Sequence, residues 1–233
     1  MKKKIVLMLT AAALSANVAF AANFSDTGNH WARESINTLA DRGVVDGVTD
    51  TLFMPDATVT RAQYLKMIME ATDCGTAQMR QGECLDAKVG DWYAPYLQKA
   101  LDSGIIPDEM IVGFSEKVEY EVDEDGKALY SKVIYSGAFN GDLSITREEM
   151  AALTQYAYQY TRNVLTNKAA KAKNGAAFAD SDKISDWAAV SVEQALANGF
   201  MDGMDNNYFN PKATATRAQA ATVILRVINK VGE

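Results

Sequence analysis

A chain of 233 residues that holds one histidine and two cysteines lacks the raw material of several chemistries. A single histidine cannot build a His-based metal site, and there is no Ser/His/Asp or Cys/His constellation to recruit for nucleophilic catalysis. No metal and no cofactor are therefore expected. His30, just before Trp31, reads as a surface or helix-start residue. Cys74 and Cys84 bracket the polar segment CGTAQMRQGEC, and in an exported chain that spacing reads as one disulfide closing a short loop. Basic charge is scarce too: 23 Lys and Arg stand against 30 Asp and Glu, a formal charge of −7. That balance argues against nucleic acid as a partner, since phosphate binding relies on clustered cations. No apolar run approaches the ~20 residues that a membrane-spanning helix needs.

The chain begins MKKKIVLMLTAAALSANVAFAANFSD, with three lysines, an apolar run from Ile5 to about Ala16 and the small-x-small sequence Ala19-Phe20-Ala21. Residues 1–21 read as a secretory signal peptide. Its removal leaves 212 residues of charge −10, with no membrane span, enough for one core or a few repeats.

Most of the remaining information lies in a repetition. Trp31 to Gln63 and Trp187 to Gln219 align without a gap at an offset of 156, with identity at fourteen of thirty-three positions, including ATVTRAQ against ATATRAQ. A middle copy supplies Trp92, Gly104 and Thr146-Arg147. Trp to Thr spans 29 residues in the outer copies and 54 in the middle one, which therefore carries an insertion.

Each unit reads helix, loop, helix. Ala32, Ile36, Leu39 and Ala40 recur at helical spacing, and Gly43 stands where a left-handed residue ends the turn. The second helix opens at Thr60, with Leu65, Ile68, Met69 and Thr72 along one stripe; the third unit has Ala221, Ile224, Leu225 and Ile228. Such a pair is too small to bury its own apolar face, so the three should pack together. The insertion alternates Val118, Tyr120 and Val122 with Glu119 and Glu121, then reaches Asp125-Gly126 and a second β-rich run to Tyr135, a hairpin pattern. It serves either as decoration or as a binding element. From Thr166, TNKAAKAKNGAA reads as a helix end and a linker.

Thr60 with Gln63, Thr146 with Glu149 and Thr216 with Gln219 fit the capping box, in which two side chains satisfy N–H groups at a helix start. Capping does not account for Arg61, Arg147 and Arg217, each in a first turn where the helix dipole disfavours a cation by about 0.3–1 kcal/mol. Two compensations are open: a structural carboxylate, such as the aspartate upstream of each tryptophan, or an anionic ligand held by guanidinium and helix N-terminus together. Trp31, Trp92 and Trp187 likewise read either as core anchors or as stacking platforms for a sugar.

FSDTGNHWARESINTLADRGVVDG followed by LFMPDATVTRAQ resembles the S-layer homology (SLH) domain: F-x-D, H-W-A, a Gly-bearing loop with F-x-P, then I-T-R-A-E. The resemblance implies three tandem repeats over 22–75, 84–166 and 178–231, with the hairpin insertion at about 114–138. The implied fold is mainly α, a pseudo-threefold bundle of helix-loop-helix repeats. The implied function is non-catalytic attachment, through grooves between repeats, to a secondary cell wall polymer, typically a pyruvylated glycan, or to peptidoglycan-linked glycan, in the cell envelope. It favours the ligand reading of the arginines. Residue by residue it carries ligand binding onto Asp26, Asp86 and Asp180, onto Trp31, Trp92 and Trp187, and onto Arg61, Arg147 and Arg217.

The middle unit departs from the pattern. Cys84 stands at the Phe position of F-x-D, and its loop lacks F-x-P, so the groove built with it is expected to be weak or non-functional. Gln63 and Gln219 replace the pattern's glutamate, keeping the cap without its charge. Because the family's modules usually tether something larger, a partner envelope protein, contacted through the hairpin, is also expected. A wall glycan hydrolase using two carboxylates is the enzymatic alternative; thirty acidic residues make some pair inevitable and so carry no weight.

Overall fold

The computed structural model describes residues 24–80, 86–162 and 178–232. The expected signal peptide and the linker from Thr166 lie outside the described residues, as does Cys84. Eight elements follow in order: α1 (Arg33–Asp41), α2 (Arg61–Ala71), α3 (Ala94–Asp102), β1 (Val112–Val122), β2 (Ala128–Ala138), α4 (Arg147–Thr161), α5 (Asp186–Ala197) and α6 (Arg217–Val231). The fold is mainly α, three helix pairs plus one antiparallel hairpin.

The three second helices, α2, α4 and α6, touch one another, and each first helix packs on the second helix of another pair: α3 on α2, α5 on α4, α1 on α6. This follows from the apolar spacing. Ile36 and Leu39 of α1 are fully buried, as are Leu65 and Ile68 of α2, and one contiguous cluster joins the pairs. In α6 the buried stripe runs through Ala220, Val223, Ile224 and Val227, while Leu225 and Ile228 are only partly covered. The stripe is rotated from the expected one because α6 meets α1 as well as α2 and α4.

All three capping boxes form: Thr60, Thr146 and Thr216 accept from the backbone N–H of Gln63, Glu149 and Gln219, whose side chains return the bond. The two preceding N–H groups of each helix are satisfied by another pair's loop. Arg61 and Ala62 donate to Leu143 and Gly141, Arg147 and Glu148 to Ala213 and Pro211, and Arg217 and Ala218 to Ala57 and Pro55. Isolated β-bridges between Thr58 and Thr216, Thr60 and Ser144, and Thr146 and Thr214 tie the same strands together. Gly43, Gly104 and Gly199 end the first helices at positive φ (67°, 64° and 72°).

The hairpin forms as the alternation predicts, with Val118 opposite Val133 and Tyr120 opposite Ser131. Asp123 Oδ1 accepts from the N–H groups of Asp125 and Lys127 to shape its turn. Phe114 stacks on Tyr135 at its base, whereas Val118, Tyr120 and Val122 are exposed. One expectation is corrected. Cys74 is a free, buried thiol, with Sγ turned toward α4: it lies 3.0 Å from Thr72 Oγ1 and 3.7 Å from Thr161 Oγ1.

Candidate functional site

The aspartates hold loops. Asp26 Oδ1 and Oδ2 accept the N–H groups of Phe53 (3.0 Å) and Met54 (2.7 Å). Asp180 does the same for Phe209 and Asn210, both at 2.8 Å, and Asp86 for Phe139 and Asn140, both at 2.7 Å. In each loop the second residue has positive φ: Met54 57°, Asn140 53°, Asn210 56°. A carboxylate that accepts two successive N–H groups stabilises that unfavourable backbone. The middle loop thus has its own Phe-x-x corner, Phe139-Asn140-Gly141, which pattern matching to F-x-P passed over.

The arginines reach from a helix start into the loop of another pair. Arg147 Nε donates to Phe209 O and Nη2 to Asp202 O, both at 2.8 Å, with the guanidinium 4.9 Å above the Phe209 ring. Arg217 repeats this with Phe53 O and Asp46 O, both at 2.8 Å, 4.4 Å above Phe53. Burial pushes both guanidiniums below their ordinary value, and nearby aspartates oppose that: Asp180 and Asp202 for Arg147, Asp26 and Asp46 for Arg217. The cation at the dipole's positive end is therefore compensated by two carbonyls, an aromatic face and a pair of carboxylates at longer range.

This arrangement corrects one part of the anion-site expectation. The helix N–H groups that a ligand oxyanion would use are already bonded to loop carbonyls and to the capping threonine. What each of Arg147 and Arg217 retains is the remainder of its five donors beyond the two so engaged.

Arg147 and Arg217 each line a groove. A cavity of about 460 Å³ is lined by Trp31, Arg147, Met201, Asp202, Gly203 and Arg226, among others. A second, of about 270 Å³, is lined by Asp46, Gly47, Gln63, Lys66, Trp92 and Arg217. In each, one helix pair supplies the arginine, another the loop and facing helix, and the remaining one the tryptophan. Trp31 and Trp92 are 65% and 54% exposed. Neither is a core anchor, and each lines a groove. Trp187 instead packs partly buried against the core and lines none of the described cavities.

Arg61 is the odd member. It is 5% exposed, sits 4.9 Å above Phe139 and donates from Nη2 to Met110 O. Its Nε has no hydrogen-bond partner, with Glu149 Oε1 3.9 Å away. The 3₁₀ turn Asp108–Met110, just ahead of the insertion, occupies the place where the other loops carry Asp-Gly, and Arg61 lines none of the described cavities. Of the nine predicted residues the structure thus gathers Trp31 with Arg147 and Trp92 with Arg217, while Arg61 and Trp187 stand outside the grooves.

Sequence reasoning missed Lys66, Arg226 and the glycines as groove residues. Gly47 and Gly203 could have been found from their identity between the repeats. A Cβ on Gly47 would meet Thr49 O at 2.3 Å and Phe24 at 2.5 Å, and one on Gly203 would meet Phe178 at 2.4 Å, so only glycine fits there.

Residues 23–65 and 177–221 match the S-layer homology domain. Over 209 residues, 90% of its length, the chain is 36% identical to the amylopullulanase of Thermoanaerobacterium thermosulfurigenes, of which it spans 10%. It is 34% identical over 207 residues to exoglucanase XynX of Acetivibrio thermocellus, covering 89% of the chain and 16% of that protein. With an S-layer protein of Bacillus thuringiensis subsp. finitimus it shares 24% identity over 236 residues, 99% of the chain and 25% of the relative. It thus spans between a tenth and a quarter of these relatives. Proteins whose names differ so widely share most of the length of this chain, and the chain belongs to the S-layer homology domain family.

Proposed function

We propose that the chain is a non-catalytic anchoring module of the cell envelope, and that it holds an anionic wall glycan in the grooves edged by Trp31 and Trp92. The S-layer homology domain is a cell-wall anchoring module, found here in relatives named as S-layer proteins and as glycan-degrading enzymes. The enzymes' activities are read as belonging to the much longer remainder of those proteins. The ligand class is a secondary cell wall polymer or a peptidoglycan-linked glycan.

The observation that carries the reading is the Arg217 groove. Arg217 and Lys66 outnumber Asp46 there, in a chain of charge −7, beneath a tryptophan face wide enough for a sugar ring. The Arg147 groove is balanced, Arg147 and Arg226 against Asp202 and Asp205, and ranks second for an anion. Arg61 is read as purely structural.

The cyclic packing and the three equivalent loop clamps support three SLH repeats, 22–75, 84–166 and 178–231, about a pseudo-threefold axis. Residues 1–21 act as an export signal, and Val118, Tyr120 and Val122 on the exposed hairpin offer a second surface for an envelope protein. The test is binding of the full chain to isolated walls before and after mild acid removal of pyruvate ketals. Weaker binding to the stripped walls is expected; equal binding would exclude the anionic-glycan reading.

A further inference from the structure

The one histidine of the chain stands immediately before a groove tryptophan. His30 Nδ1 accepts the backbone N–H of Ala32 at 3.2 Å, and Nε2 lies 3.3 Å from Asp56 Oδ1. The imidazole is 5.3 Å from the Trp31 ring, tilted by 37°. It therefore ties together the start of α1, the loop that follows that helix and the aromatic edge of the Arg147 groove.

The two bonds fix where the ring carries its hydrogen. A backbone N–H can only donate, so Nδ1 offers a lone pair and Nε2 holds the hydrogen that Asp56 accepts. A proton added at Nδ1 takes the acceptor away from Ala32, which is 1% exposed and, as the N-cap of α1, has no side-chain cap of its own. Asp56 favours the charged ring, but its side chain is 86% exposed and that attraction is screened. Of the other charged groups on neighbouring elements, Arg33 donates to Gly28 O at 3.1 Å, while Asp26 and Arg217 are taken up by the loop at Phe53 and Met54. The covered N–H that loses its acceptor outweighs the screened pair, and protonation works against the turn. Imidazole is the side chain whose ordinary charge change falls between pH 5 and 8, and the other two tryptophans follow aspartates, Asp91 and Asp186.

We propose that His30 is a positioning residue for Trp31. As a neutral imidazole it holds the turn that carries the indole at the groove, and on taking up a proton it releases the Ala32 N–H and loosens that turn. The consequence for wall binding rests on the anchoring reading above; the change at Ala32 does not.

Two measurements test this on the full chain carrying Trp92→Ala, which removes the other groove's tryptophan. NMR follows the His30 imidazole and the Ala32 amide from pH 8 to pH 5. The amide shift is expected to move in step with the imidazole, and to stay constant in His30→Asn, whose side-chain oxygen can accept the same N–H without titrating. Sedimentation with isolated walls at pH 8 and pH 5 supplies the second readout. The ratio of the two affinities is expected to be about threefold or more larger for the histidine protein than for His30→Asn, titration of the wall itself being common to both. An Ala32 amide blind to the imidazole, or the same pH dependence of binding in both proteins, would overturn the proposal. If the amide follows the imidazole and neither protein sediments with walls at either pH, the positioning stands and the anchoring reading falls.

Discussion

Asp180 and Arg147 are joined through one backbone unit. The carboxylate of Asp180 accepts the N–H of Phe209 at 2.8 Å, and the carbonyl of Phe209 accepts Nε of Arg147 at 2.8 Å. Asp26, Phe53 and Arg217 repeat the relay. The aspartate shapes a loop, the loop offers a carbonyl, and the carbonyl holds a cation from another helix pair. The same contact both fastens the pairs together and sets the guanidinium in the groove wall.

Asp180→Ala should therefore destabilise the protein by about 2 kcal/mol, since the buried N–H of Phe209 and the part-buried N–H of Asn210 lose their acceptor. Urea denaturation measures this; a loss under about 0.5 kcal/mol, the usual range for surface substitutions, would show that the clamp is dispensable.

The clamp should also be visible in acid. Burial alone would raise the Asp26 carboxyl, but the N–H groups of Phe53 and Met54 outweigh it and hold the value below the ordinary carboxylate. A depressed folded-state value contributes stability above the unfolded value of about 3.9, and that stability is lost as pH falls through the folded value. The gap in unfolding midpoint between wild type and Asp26→Asn should be full at neutral pH and close in acid. A gap that does not vary with pH would contradict the assignment.

Thr216→Ala removes the acceptor for Gln219 N and should cost about 1 kcal/mol. Chemical denaturation checks it, and Thr216→Ser should restore most of the loss because the hydroxyl is what caps.

Gly47→Ala tests the loop at close quarters. Its Cβ would overlap two backbone oxygens and the Phe24 ring, which predicts a loss of about 1–3 kcal/mol by overpacking. Unchanged thermal stability would mean that the loop has room to move.

How much of this was readable from letters follows from the range of the interactions. Capping boxes, helix-ending glycines and the hairpin are local, and each formed where Thr60, Gly43 or Asp125-Gly126 placed it. The partners of Arg147 and Arg217 were not readable, because the acceptors are backbone carbonyls 55 to 171 residues away and a carbonyl has no letter of its own. For the same reason the capacity of the helix starts to bind an oxyanion was overestimated. Trp31 and Trp187 look alike in sequence yet differ in burial, since each is judged by what the neighbouring pair places over it. The middle unit's departure was visible as an insertion; that Met110 O would take the place of the Asp-Gly carbonyl was not.

The most direct test of the anchoring grooves is sedimentation of the full chain with isolated cell walls, comparing wild type with the double variant Trp31→Ala, Trp92→Ala. Both side chains are largely exposed, so unfolding should shift by no more than about 0.5 kcal/mol each. The double variant is predicted to lose about tenfold or more in wall affinity while Trp187→Ala, away from the grooves, retains it. A folded double variant that sediments as fully as wild type would contradict the account.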